Sequence, residues 1–230
     1  MKKLIKDFFS LIFPDNCYSC QGVLLQGEHK ICTACRGNLP FTNYHKLNPT
    51  NNSVTQKFFG KIPILYGLSF LQFAKDGKVQ RLLHHIKYKN EPELAEMLGI
   101  WYGSELFENS FAEKFDLIVP VPLHPKKLKI RGYNQSDYFG KGLSHQLQVP
   151  FHDDILIRNT HSSSQTKKSR YERWQNVNTI FGVSDSLEIK GKSVLIVDDV
   201  ITTGATLEAC AIILLEKGVQ SISVGTIAIA

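Results

Sequence analysis

VLIVDDVITTGAT, residues 194–206, is the stretch whose reading decides the fold. Four apolar residues run without alternation into two adjacent aspartates, as in a strand buried on both faces that surfaces at the C-terminal edge of a parallel sheet. Ligands of open α/β sheets bind at that edge. The segment that follows, Val200-Ile201-Thr202-Thr203-Gly204-Ala205-Thr206, has small residues that leave backbone amides free, and a helical pattern begins directly after it. Amides at a helix N-terminus, backed by the helix dipole, make an anion site suited to phosphate. Two carboxylates beside a phosphate make chemical sense if the ligand also carries sugar hydroxyls and a divalent cation. The plainer alternative is a strand-to-helix turn capped by Asp and Thr.

Working outward, apolar strand-like runs alternate with stretches of helical period. LYGLSFLQF (65–73) and DLIVPVP (116–122) read as strands, while GKVQRLLHHIKY (77–88), EPELAEMLGIWYGSELFE (91–108) and residues 135–148 read as helices. DILIR (154–158), SVLIVDD (193–199), a helix after Gly204 and SISVGTIAIA (221–230) complete the series. The expected fold class is α/β, a mostly parallel sheet with flanking helices. The expected division is an N-terminal helix and cysteine module over 1–46, an Asn/Thr/Ser-rich linker over 47–63, and the α/β domain over 64–230.

Two basic segments accompany the aspartates. In VPVPLHPKKLKIRGYNQ (119–135) a strand ends in a proline-stiffened turn bearing Lys126, Lys127, Lys129 and Arg131, with Gly132 relieving the backbone. SSSQTKKSRYERWQNV (162–177) carries Lys167, Lys168, Arg170 and Arg173 without an apolar stripe, the composition of a basic loop that closes over a ligand. Cations near a sheet edge suit a diphosphate leaving group, whose charge grows as its bond breaks. A solvated basic face is the bland alternative.

The 194–206 stretch resembles the signature of type I phosphoribosyltransferases, and the order of the three segments resembles ComF-type proteins of bacterial competence, which join a zinc module to such a domain. The resemblance spans nearly the whole chain. It implies a type I phosphoribosyltransferase-like fold that binds phosphoribosyl pyrophosphate with Mg2+. Val200, Thr202, Thr203, Gly204, Ala205 and Thr206 would lie at the ligand, with the loop from Thr202 holding the 5′-phosphate. Asp198 and Asp199 would take the ribose hydroxyls and indirectly the metal. Arg131, with Lys126, Lys127 and Gly132, would face the pyrophosphate, and Arg173 would close over it. Lys87 and Tyr88 would lie near the hood covering the substrate. The resemblance also raises a second function class, a binding module for single-stranded DNA or for other competence proteins. The reading expects an enzyme whose acceptor has no sequence motif.

Four of the five cysteines form two pairs, Cys17-x-x-Cys20 and Cys32-x-x-Cys35, eleven residues apart, with a turn expected at Gln26 and Gly27. Two such knuckles can bring four thiolates into a tetrahedron suited to structural zinc, with iron also compatible and disulfides as the alternative in an oxidising compartment. Cys210 falls on the apolar side of a helix and reads as core. Adjacent His84 and His85 cannot share a helix face, so one is expected packed and the other solvated. The net charge of +6 favours anionic partners. The start, MKKLIKDFFSLIFPDNC, is interrupted by Lys6 and Asp7, and no segment approaches the roughly 20 apolar residues of a membrane span, so a cytoplasmic chain without stable membrane insertion is expected. Phe8, Phe9, Leu11, Ile12 and Phe13 are expected to pack on the cysteine module.

Overall fold

A computed structural model describes residues 14–159, 180–184 and 188–230. The N-terminal apolar stretch and the basic segment containing Lys167, Lys168, Arg170 and Arg173 lie outside the described residues.

Four strands, β1 (Gly67–Gln72), β2 (Leu117–Pro120), β5 (Ser193–Ile201) and β6 (Ser221–Ile229), form a sheet in the order β1-β6-β5-β2. Each neighbouring pair is parallel. Unbroken apolar runs explain this placement, since both sheet faces are covered: all of β2 and all but the first residue of β6 are buried. The short strands β3 (Leu156–Arg158) and β4 (Phe181–Val183) pair antiparallel as a separate ribbon. DILIR therefore forms a strand outside the parallel sheet.

Helices α4 (Lys78–Tyr88) and α5 (Pro92–Glu108) connect β1 to β2. Helices α6 (Pro125–Arg131) and α7 (Gln135–Leu147) follow β2, and α8 (Ala205–Glu216) joins β5 to β6. Among the described residues, three single-turn helices precede β1: α1 (Thr33–Arg36), α2 (Tyr44–Leu47) and α3 (Ser53–Gln56). Helices α5 and α7 cross at near backbone contact. A Cβ on Gly99 would lie 2.3 Å from the Phe139 carbonyl oxygen, and one on Gly142 would lie 2.3 Å from that of Glu96. Only glycine allows this approach, which fixes where α7 begins relative to the sheet.

Residues 47–63, whose composition reads as a linker, pack rather than span. Asn52 caps α3 with its side chain, and Val54 and Phe58 are buried against the sheet. Cys17, Ile31, Cys35 and Leu39 share a core cluster with β1, α4 and α5, so the cysteine module is seated on the larger domain. Among the described residues, no helix is long and apolar enough to cross a membrane.

Candidate functional site

Strands β2 and β5 are adjacent and parallel, with Pro120 opposite Val197 and the Val121 amide donating to the Val197 carbonyl at 2.9 Å. The segments leaving both strands therefore open at the same C-terminal edge, where the sequence places the aspartates and the cationic run. Strand β5 does not stop at the carboxylates. Val200 and Ile201 continue in register with Ala228 and Ile229 of β6, because two β-branched residues extend the apolar strand past the polar pair.

Each aspartate is held by donors from the first turn of α7. Ser136 Oγ donates to Asp198 Oδ1 at 2.9 Å, and Gln135 Nε2 donates to Asp199 Oδ2 at 2.7 Å. The Asp199 backbone amide also donates to Asp198 Oδ1, at 2.8 Å. Lys87 Nζ of α4 lies 3.0 Å from the same Asp199 Oδ2. Burial, followed by the neighbouring Asp199 charge, pushes the Asp198 carboxyl up to about 7, against the pull of the Ser136 and Asp199 hydrogen bonds and of Lys87. Gln135 is buried, and its Oε1 has no hydrogen-bond partner among the described residues. A buried acceptor left open beside a carboxylate invites a donor from a ligand.

Beyond Ile201, Thr202 and Thr203 lead to Gly204, which caps α8 with φ of +81°. Glycine is needed there, since a side chain would be strained at that φ and its Cβ would approach Phe58 to 3.2 Å. The amides of the first turn of α8 have no acceptors within the helix. Asp198, Val200 and residues 201–207 line one pocket of about 40 Å³, close to the scale of a phosphate group. A larger cavity of about 610 Å³ lies among Thr50, Gln56, Phe59, Ile62 and neighbouring residues and is lined by none of the candidate residues.

The cationic segment departs from its expected form. Residues 125–131 are a helix rather than a turn: Pro125 occupies its first turn, His124 Nδ1 accepts from the Lys126 amide at 3.1 Å, and Gly132 ends it at φ of +81°. Gly132 is thus required by the helix end, and a Cβ there would meet nothing within 4 Å. Lys126 and Lys127 are exposed. The Arg131 guanidinium lies 5.7 Å from the centre of the Tyr88 ring, so Arg131 is engaged by α4 and not by the aspartates. Arg173 lies outside the described residues.

Sequence reasoning missed Gln135 and Ser136, the residues that hold the carboxylates. Their signal was Asn134, whose side chain accepts from the Ser136 amide and so marks a helix start next to the basic run.

In the cysteine module, the Sγ atoms of Cys17, Cys20, Cys32 and Cys35 lie within 4.8 Å of one another, and Cys20 and Cys32 are 3.8 Å apart. Zinc–sulfur bonds of about 2.3 Å in a tetrahedron put the sulfurs about 3.8 Å apart, so the set fits zinc. Amides of Gly22, Cys32 and Cys35 donate to Cys20, Cys17 and Cys32 Sγ at 3.3–3.4 Å, which favours thiolates. At Cys17 burial opposes ionisation, yet backbone amides bring the thiol down to about 6. The turn falls at Gln26 and Gly27, where the Glu28 amide donates to the Leu25 carbonyl at 3.0 Å and Gly27 has φ of +89°. Cys210 is fully buried in α8. His84 is exposed and His85 is half-buried, stacked on Tyr18.

This arrangement defines a class. Residues 134–230 match the family described as phosphoribosyl transferase domain, which includes α7, the aspartates and the loop. The chain is 38% identical over 110 residues to Competence protein F of Haemophilus influenzae, covering 47% of this chain and about half (48%) of that protein. It is 26% identical over 229 residues to DNA utilization protein YhgH of Escherichia coli K12, covering 93% of this chain and 96% of that protein. Competence protein ComFC of Bacillus subtilis is 26% identical over 210 residues, covering 90% and 82%. The chain is thus similar to competence and DNA-utilization proteins over nearly its whole length, and its C-terminal part to a phosphoribosyl transferase domain. Among solved structures, one titled as the allosteric regulatory enzyme of purine biosynthesis aligns with a TM-score of 0.46 at 19% identity, over 63% of this chain and 30% of that one.

Proposed function

We propose that this protein binds Mg2+–phosphoribosyl pyrophosphate at the C-terminal edge of β5 and transfers its phosphoribosyl group to an acceptor, in the cytoplasm and in the context of DNA uptake. The observation that carries this reading is the pocket that Asp198 shares with loop residues 200–206 at the start of α8. Those amides, at the positive end of α8, would hold the 5′-phosphate. Asp198 and Asp199 would accept from the ribose hydroxyls, and the unpartnered Gln135 Oε1 supplies a further acceptor.

Transfer requires the C1–oxygen bond to break with its electrons leaving on diphosphate, so C1 becomes cationic. Two carboxylates fixed beside the ribose favour that charge, and because Ser136 and Gln135 already hold them, little reorganisation is needed when it develops. Mg2+ would screen the departing diphosphate's charge. Arg131, released from Tyr88, and Lys126 and Lys127 would face the same group.

Calorimetry with magnesium present tests the reading. The wild-type chain should bind phosphoribosyl pyrophosphate and the Asp198→Asn/Asp199→Asn double variant should not. Equal binding by both would exclude the aspartates from the site.

A second reading is favoured by one observation: Tyr88 and Ile130 are exposed beside the cationic face of α6, with Arg131 over the Tyr88 ring. Such a surface offers stacking and phosphate contacts to single-stranded DNA. Salt-dependent DNA binding that survives loss of both aspartates supports it.

A further inference from the structure

Helix α4 touches both the cysteine module and the aspartates, on different sides. Arg81 and His85, four residues apart, share one stripe. Arg81 Nε donates to the Ser19 carbonyl, inside the first cysteine knuckle, at 2.5 Å. The His85 ring stacks on Tyr18 of the same knuckle, with centroids 4.1 Å apart and planes within 6°. Tyr18 in turn donates its hydroxyl to Glu91 Oε1 at 2.7 Å. Lys30, two residues before Cys32, pairs with that same Glu91 and, at 3.2 Å, with Glu93. Both glutamates flank the start of α5, so the module grips the α4–α5 corner from two of its own segments.

Lys87 lies two residues past His85, about 200° around the helix, and so points away from the module. Its ammonium meets Asp199, whose side chain is 12% exposed against 25% for Lys87. The four-carbon stem of Lys87 has limited reach, so its 3.0 Å pairing with Asp199 holds only while α4 stays close to the aspartates. The helix sits on the knuckle through Ser19 and Tyr18. A four-cysteine knuckle of this size keeps its shape only while its thiolates share a metal.

We propose that the cysteine module sets the affinity of the aspartate site by seating helix α4, with Lys87 as the positioning residue that passes the effect to Asp199. This inference rests on the reading of the aspartate pocket as a phosphoribosyl pyrophosphate site. Metal in the module and ligand at β5 are then linked reciprocally, each strengthening the other.

The test is a linkage cycle on the full chain: affinity for Mg2+–phosphoribosyl pyrophosphate by calorimetry, before and after the cysteine-bound metal is removed, in wild type, Lys87→Met and Lys87→Arg. Removal should weaken binding about tenfold in wild type and in Lys87→Arg, but by no more than about twofold in Lys87→Met, where the link is already cut. An equal factor in wild type and Lys87→Met, or no change in wild type, overturns the inference. Amide exchange over residues 78–88 gives a readout that needs no ligand. Faster exchange after metal removal supports the seating of α4, and unchanged protection overturns it. Failure of the metal-loaded wild type to bind the ligand at all would sink the proposed function, leaving the amide exchange to judge the seating of α4 by itself.

Discussion

Replacing Asp198 by Asn should stabilise the ligand-free protein above neutral pH while removing a group needed for its ligand. The Asp198 carboxyl rises from 3.8 to about 7 on folding, through burial and the adjacent Asp199 charge. Between those values the folded chain holds a proton that the unfolded chain has released, so stability falls as pH rises through the window. At about 1.4 kcal/mol for each pH unit, the contribution is capped near 4 kcal/mol. Asp198 is partly exposed, and solvent screening reduces the expected figure to about 2 kcal/mol. Asparagine keeps an oxygen for Ser136 and for the Asp199 amide and carries no charge. Urea unfolding of both proteins at a series of pH values is the assay. The two should differ least near pH 3.5, where Asp198 is protonated in the folded chain and largely so in the unfolded one, and the variant's lead should grow through the window to about 2 kcal/mol at pH 8.5. A difference that does not change with pH, or a variant that is weaker at pH 8.5, refutes the claim that burial strains this carboxylate.

Gly142→Ala should cost about 2 kcal/mol in urea unfolding even though alanine favours helix, because its Cβ would lie 2.3 Å from the Glu96 carbonyl oxygen; Gly103→Ala, whose Cβ would lie 2.8 Å from the Gln146 Cβ, should cost less. Gly204→Ala should cost about 1–2 kcal/mol through strain at positive φ and crowding of Phe58, and should also weaken the calorimetric signal for ligand by disturbing the phosphate loop. Elemental analysis of protein expressed with zinc should give about one zinc per chain, and a chelator should release it with a matching rise in titratable thiols; thiols that stay unreactive after reduction would contradict the four-cysteine site.

The central strand and its loop were legible because their chemistry is local. An apolar run, two carboxylates, small residues and a helical period follow one another in SVLIVDDVITTGAT, and the structure keeps that order. The cysteine site was legible for the same reason, with pair spacing and a Gly27 turn close at hand. What escaped was set by distance or by context. Whether β5 ended at Asp199 or ran to Ile201 depended on the partner β6, which local pattern does not reveal. The run Pro125–Arg131 has no apolar stripe, so its helix rests on Pro125, the His124 cap and Gly132. Gln135 and Ser136 reach Asp199 and Asp198 only because Gly99 and Gly142 let α5 and α7 meet at backbone distance. Lys87, placed near the hood by resemblance, gained its partner Asp199 from the fold alone.

The most direct measurement is a crystal structure of the protein with Mg2+ and phosphoribosyl pyrophosphate. The account predicts 5′-phosphate oxygens within about 3 Å of the amides at 203–206, and ribose hydroxyls on Asp198 and Asp199. Ligand density away from β5, for example in the cavity beside Phe59, would contradict it.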